Sequence, residues 1–401
     1  MTIASSCDAL VLGAGPAGSA AAWALARAGL DVILVDQHSF PRDKVCGDAL
    51  IPDALGAVEA MGLRSIVDAE AAHLPELRVY APNRTFISLT GDFCCMPRAR
   101  FDALLVGAAR DAGARLLDQS TAIAPLLEGG QVTGARLGSS SGEREVHAGI
   151  TLLATGANAT VMNAFGLDAP LKPQAVAGRA YFEAPDRIAS CVPFLCIVYD
   201  KTLCPGYGWI FPGPERRFNV GVGFFGDSRS REVPSLRDLW TRFTTQFETA
   251  ATIVRESVQV GEFRGAPLRT GLTGARFGRP GLMAIGESAA MTYPGTGEGI
   301  GKAMESGLLA ARMVTDRLES HTSVADVHLA YELEFRRRHG KRYKAYAVAQ
   351  ACSSHPRLVN YLAWRANAGH FVQRELQALV TERGDAATLF SIRGLLTSLF
   401  A

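Results

Sequence analysis

Ala9-Leu10-Val11-Leu12-Gly13-Ala14-Gly15-Pro16-Ala17-Gly18 is followed by Ser19-Ala20-Ala21-Ala22-Trp23-Ala24-Leu25 and then by Asp31-Val32-Ile33-Leu34-Val35-Asp36. The order spells a buried strand, a tight glycine turn, a helix and a second strand closed by an acid. Gly13 permits the bend, Gly15 lets backbone approach a pyrophosphate, and Gly18 lets the helix pack closely on the strand. The pyrophosphate would rest at the helix start, beside Ala17, where free N–H groups and the helix dipole favour an anion. Asp36 stands where a carboxylate can hydrogen-bond a ribose hydroxyl. A β-rich run before the turn, an alanine-rich helix after it and the acid at this distance together read as a dinucleotide-binding unit of α/β class.

Working outward, the chain has 401 residues, 48% of them hydrophobic, enough to bury a large core divided into two or three lobes. A formal net charge of +2 lacks the basic excess expected of a nucleic-acid binder. No run of about twenty apolar residues spans a bilayer. No charged and apolar leader precedes the first strand, so no secretory signal is read. The eight cysteines show neither paired CxxC spacing nor the density of a disulfide scaffold. Free thiols in a reducing cytoplasm are the expectation, and no metal site is expected.

Phe40-Pro41-Arg42-Asp43-Lys44-Val45-Cys46-Gly47-Asp48-Ala49-Leu50-Ile51-Pro52 reads as a loop leaving the nucleotide unit, a place where function concentrates. A helix is expected from about Pro52 to Glu70, then half-buried strands at 77–80 and 85–89. Met96-Pro97-Arg98 opens a helix running to about Ala112, and Arg98 is read either as surface charge or as reaching a bound anion. Segments 114–117, 122–124, 132–137 and 144–147 look like an antiparallel meander, after which Ile150-Thr151-Leu152-Leu153-Ala154 returns as a buried strand. That strand ends in a second glycine turn at Gly156. From Lys172 strands dominate for close to ninety residues, as expected of an antiparallel wall over a cofactor. Within it, Pro205-Gly206-Tyr207-Gly208-Trp209-Ile210-Phe211-Pro212 gathers aromatic surface, read equally as core or as pocket lining.

Gly281 to Ala290 is a buried strand ending in small residues and Glu287, followed by Tyr293-Pro294-Gly295-Thr296-Gly297-Glu298-Gly299-Ile300-Gly301 and a helix from about Lys302. A carboxylate at the strand end can hold polyol hydroxyls, and a glycine-rich helix start can present N–H groups to developing negative charge. Flavin adenine dinucleotide (FAD) needs both, at its ribityl chain and its ring. The last portion is helical and carries Arg336-Arg337-Arg338-His339-Gly340-Lys341-Arg342-Tyr343-Lys344, read as a solvated helix face, with peripheral contact to an anionic membrane or to a phosphate-bearing substrate as the alternative.

Taken together, these motifs resemble the geranylgeranyl reductase family of flavoproteins, in the wider group of hydroxybenzoate hydroxylase and the flavin-dependent halogenases. The resemblance covers roughly residues 8 to 350. It implies a Rossmann-like FAD-binding domain at 1–75, 95–171 and 265–325, a substrate domain at 76–94 and 172–264, and a helical C-terminal region at 326–401. It also implies that Gly13, Gly15, Ala17, Gly18, Asp36, Arg42, Cys46, Gly47, Arg98, Gly156, Glu287, Pro294, Gly297, Gly299 and Ile300 bind the cofactor. Cys46, Tyr207 and Trp209 are the candidate catalytic residues. Two positions depart from the family: Glu287 replaces the usual aspartate, and Ala49 replaces a second glycine in the cysteine loop. The expected activity is that of an FAD-dependent oxidoreductase reducing carbon–carbon double bonds of an apolar or aromatic substrate, with NADPH as a candidate electron donor. Alternatives are a monooxygenase that hydroxylates an aromatic ring and a non-catalytic flavin-binding maturation partner. Halogenation is disfavoured, because halogenases of this group tend to carry a second tryptophan in the aromatic strand, and here that position is Tyr207.

Overall fold

The computed structural model describes residues 5–169, 172–226, 235–384 and 386–400. The end of the 95–171 segment and the interior 227–234 of the substrate segment therefore lie partly outside the described residues.

Two sheets carry the molecule. In the first, strands Leu282–Ala284, Gly142–Leu153, Ser6–Leu12, Val32–Val35 and Arg115–Leu117 lie side by side and parallel, with Ala9 registered on Ile150 at one edge and Val32 at the other. Ala9 to Leu12 and Val32 to Leu34 have no solvent exposure, as expected where helices cover both faces of a parallel sheet. Helix Pro16–Arg27 follows the first strand and packs against helix Ile300–Glu319. A methyl on Gly307 would sit 2.2 Å from the Ala17 carbonyl, so bare backbone is required at that crossing. This is the Rossmann-like α/β arrangement expected from the first glycine turn.

The second sheet has seven strands, in the order Val258–Leu268, Ala175–Glu183, Arg217–Phe225, Gly206–Pro212, Leu195–Val198, Glu76–Tyr80 and Phe86–Thr90. It is antiparallel except where Leu195–Val198 runs parallel to Glu76–Tyr80. The distant 76–90 hairpin thus joins the strands after residue 172. The C-terminal portion is helical, from Val327–Ser353 to Ile392–Phe400.

Three local expectations are corrected. The Pro52 to Glu70 helix is two helices, Pro52–Ala60 and Arg64–Glu70, because Gly62 turns the chain at φ +73° between them. Arg115–Leu117 is not part of the meander but extends the parallel sheet at Val32–Val35. The stretches near 144–147 and 150–154 are one strand, Gly142–Leu153, whose first half pairs antiparallel with Gln131–Ser139 while the length from His147 pairs parallel with Ser6–Leu12. The basic run lies on helix Val327–Ser353, where Arg336 pairs with Glu332, and Arg337 and Arg338 pair with Glu334. No helix among the described residues is long and apolar enough to cross a membrane. All eight cysteines are free thiols.

Candidate active site

The turns at the ends of the parallel strands and the inner face of the second sheet enclose a cavity of about 360 Å³. Every candidate site residue lines it except Gly18 and Pro294. Gly18 acts one layer behind, since a Cβ there would lie 1.8 Å from the Gly13 carbonyl, and its hydrogen is what lets helix and turn meet. Pro294 is buried behind the second glycine loop, near Gly271.

Two helix N-termini open on this cavity. Helix Pro16–Arg27 begins at Gly15 and helix Ile300–Glu319 at Gly299, and neither has a side-chain cap or an acid in its first turn. Unspent N–H groups and positive dipole ends therefore face the same space. At the first turn Gly13 holds φ +106°, and Asp36 accepts from Ala14 N at 2.9 Å and His38 N at 3.0 Å, which fixes its carboxylate beside the glycines. At the opposite end Glu287 accepts from Arg269 N at 3.1 Å and reaches the Gly156 turn. Burial pushes the Glu287 carboxyl up, against the pull of Lys44 and the Arg269 amide.

The cysteine loop lies between these ends. Arg98 makes a bidentate pair with Asp102, at 2.7 and 2.8 Å, and Arg42 reaches the same carboxylate at 3.1 Å. Asp102 has no exposure, so one buried carboxylate orders two cavity arginines. Burial alone would depress the Arg98 guanidinium, but the Asp102 carboxylate outweighs it and holds the group charged. Asn219 donates to the Cys46 carbonyl at 2.7 Å and to Asp48 at 2.8 Å, and accepts from Trp209 Nε1 at 2.9 Å. Tyr181 also donates to Asp48, at 2.6 Å. Burial raises the Asp48 carboxyl to about 6, with those two hydrogen bonds opposing. Asp102, Asp48 and Asn219 fall within the motifs that carry the resemblance but have no site role on sequence, and Tyr181 lies outside them. The available signals were an asparagine inside an apolar strand at Phe218-Asn219-Val220 and an acid one turn after Arg98.

The far wall is aromatic. Tyr207 stacks on Phe225 with centroids 5.7 Å apart and lies 6.2 Å from Trp209, which lies 6.3 Å from Phe211. The Tyr207 hydroxyl donates to the Thr296 carbonyl, tying this wall to the second glycine loop. A Cβ on Gly221 would lie 2.1 Å from Trp209 Cζ2 and 2.6 Å from the Gly178 carbonyl. Gly221→Ala is accordingly expected to shift Trp209 and to cost about 1–3 kcal/mol through overpacking. Denaturant unfolding followed by tryptophan fluorescence checks this, and an unchanged midpoint and emission maximum would contradict it.

The residues present fit FAD. A cradle of bare glycine backbone meets an uncapped helix start, an acid stands at the ribose position, and Arg42 Nε and Thr155 Oγ1 face the cavity buried without hydrogen-bond partners. Fold and site together define a flavoprotein oxidoreductase. The family described as FAD binding domain matches residues 6–342, and the chain belongs to it. Its relatives are those its motifs resemble. Digeranylgeranylglycerophospholipid reductase 2 of Methanopyrus kandleri is 30% identical over 341 residues, covering 84% of this chain and 84% of that protein. Menaquinone reductase of Mycolicibacterium smegmatis is 30% identical over 334 residues, 77% of this chain and 76% of that one. Among solved structures, a geranylgeranyl bacteriochlorophyll reductase-like protein of Thermoplasma acidophilum superimposes with TM-score 0.79 at 21% identity, covering 98% of this chain and 96% of that one. The flavin-dependent brominase Bmp2 gives 0.77 at 18%, covering 98% and 99%, which shows a shared fold. The protein is thus an FAD-dependent oxidoreductase of the geranylgeranyl reductase group.

Proposed function

We propose that the protein reduces carbon–carbon double bonds of an apolar polyprenyl or prenylquinone substrate. The observation that carries this is the cavity's division: two uncapped helix starts and ordered arginines at one side, and a continuous apolar wall of Leu195, Ile197, Tyr207, Trp209, Phe211 and Phe225 at the other. Such a wall binds a flexible hydrocarbon by burial and shape, its Tyr207 hydroxyl and Trp209 N–H being already bonded to Thr296 and Asn219. The names of the reductase relatives, which specify a geranylgeranyl lipid and menaquinone, support the same substrate class.

On this reading Gly13, Gly15 and Asp36 hold the adenosine and pyrophosphate, Gly156 and Glu287 the ribityl chain, and Gly297 and Gly299 the ring. When bound, FAD supplies the hydride. Trp209 and Tyr207 orient the alkene, with Trp209 kept in place by Asn219. Cys46 borders the passage between cofactor and aromatic wall, beside Arg98. NADPH is the donor to test first.

The test is reconstitution with FAD followed by anaerobic incubation with NADPH, or with dithionite, and geranylgeraniol in detergent. Mass spectrometry is expected to show products heavier by two hydrogens per reduced bond. A hydroxylated product formed only with dioxygen would overturn the proposal.

A further inference from the structure

Behind the second glycine loop lies a group of charges that the reading above does not use. Lys302 has 3% side-chain exposure and lies 3.3 Å from Asp53, 2.6 Å from Glu305 and 3.7 Å from Glu382. Arg342 pairs with Glu382 at 2.7 Å. Glu298 and Asp53 both line the cavity, so the cluster opens onto it. At its outer end Glu305 is 31% exposed and reaches solvent. These residues come from helix Pro52–Ala60, the glycine loop, helix Ile300–Glu319, helix Val327–Ser353 and the turn after helix His370–Val380.

The charge count decides what the cluster can hold. Four carboxylates, Asp53, Glu298, Glu305 and Glu382, face two cations, Lys302 and Arg342. His339 lies 3.8 Å from Glu305 but adds no charge, because burial and the neighbouring cations depress it to about 3. An interior cannot keep two uncompensated negative charges, so the cluster retains protons at neutral pH. The phenols of Tyr199, Tyr207 and Tyr346 feel the Glu298 charge, and Tyr207 lines the cavity together with Glu298. Burial, with Asp53 and Glu382 adding, raises the Glu298 carboxyl to about 8, against Arg342 and Lys302, and raises Glu382 to about 7.

We propose that Glu298 is the acid that completes double-bond reduction, and that the cluster behind it holds and replaces its proton. The inference rests on the reductase reading. One alkene carbon gains a hydride from reduced FAD, and the other uses the π electron pair to bond the proton leaving Glu298. The alkene becomes an alkane, the flavin becomes oxidised, and an external two-electron donor restores it. Glu298, left as a carboxylate, recovers a proton from the cluster, which is refilled from water at Glu305.

The experiment compares wild type with Glu298→Gln, nearly isosteric and still able to hydrogen-bond. Infrared spectra of the FAD-loaded proteins at pH 7 are expected to show a protonated-carboxyl band in wild type, weakened in the variant. Dithionite-reduced protein mixed anaerobically with geranylgeraniol is expected to reoxidise about 10²–10⁴-fold more slowly in the variant, while FAD affinity changes less than threefold. In wild type the reoxidation rate holds below about pH 8, where Glu298 keeps its proton, and falls tenfold per unit above it. Reoxidation of the variant within threefold of wild type, or an unchanged carboxyl band, overturns the proposal. If wild type saturates no double bond, the reductase reading and the delivery role fail together, and the infrared comparison alone then decides whether Glu298 holds a proton.

Discussion

Alanine in place of Asp102 is expected to lower the free energy of unfolding by about 3–5 kcal/mol, because breaking a buried ion pair leaves charge uncompensated. Arg98 depends on this carboxylate through both oxygens, Arg42 reaches it at 3.1 Å and Asp36 at 3.8 Å, and Asp102 is fully buried. Against a total stability of about 5–15 kcal/mol for a typical domain, such a loss takes the protein close to its threshold. Asp102→Asn is expected to cost less, since the amide oxygen still accepts from one arginine. Freed of Asp102, Arg98 no longer stays beside Cys46, so FAD binding weakens along with stability. Urea unfolding of the apoprotein with an unchanged slope is the measurement. A loss below about 1 kcal/mol would mean that the arginines find solvent or another acceptor.

Gly15→Val is expected to do the reverse, leaving the fold intact and removing the cofactor. Gly15 lies at φ −77°, where any residue is unstrained, and the nearest atom to an added Cβ outside its chain neighbours is Arg42 Nη2 at 3.8 Å. Stability of the apoprotein is therefore expected to change by less than about 0.5 kcal/mol, as for an ordinary surface substitution. The valine side chain, however, stands in front of the free N–H groups that would meet a pyrophosphate. FAD dissociation is expected to rise at least a hundredfold, equivalent to about 2.7 kcal/mol. Flavin fluorescence titration of the purified apoprotein reads this directly. Gly13→Ala makes the contrast, since φ +106° and a 2.3 Å approach to the Ala154 carbonyl put its cost into folding itself. Retention of FAD by the Gly15 variant would remove the first turn from the cofactor site.

The legible parts of the fold were those written in local periodicity. Continuous apolar runs marked the central parallel strands, alternation marked the second sheet, and glycines marked both cofactor turns. Strand Gly142–Leu153 reads as two segments in sequence because it carries both patterns, alternating while it belongs to the hairpin and continuously apolar once both faces are covered. The three residues of Arg115–Leu117 contain no information about which strand they pair with, so only the structure sets them beside Val32–Val35.

At the site the same division holds. The chain alone pointed to a dinucleotide-binding turn at Gly13 to Gly18, since spacing and residue type there act through backbone within a few residues. Local pattern raised Arg98, Trp209 and Glu287 as separate candidates, and the family resemblance added weight to them and to Cys46. Only the tertiary structure placed Asn219 between Cys46, Asp48 and Trp209, and set Asp102 beneath Arg98 and Arg42. It alone gathered four carboxylates from four segments around Lys302 and Arg342. The reason is physical: a turn's geometry is fixed by its own torsions, whereas a buried charge takes its protonation and its role from neighbours that the chain brings in from hundreds of residues away.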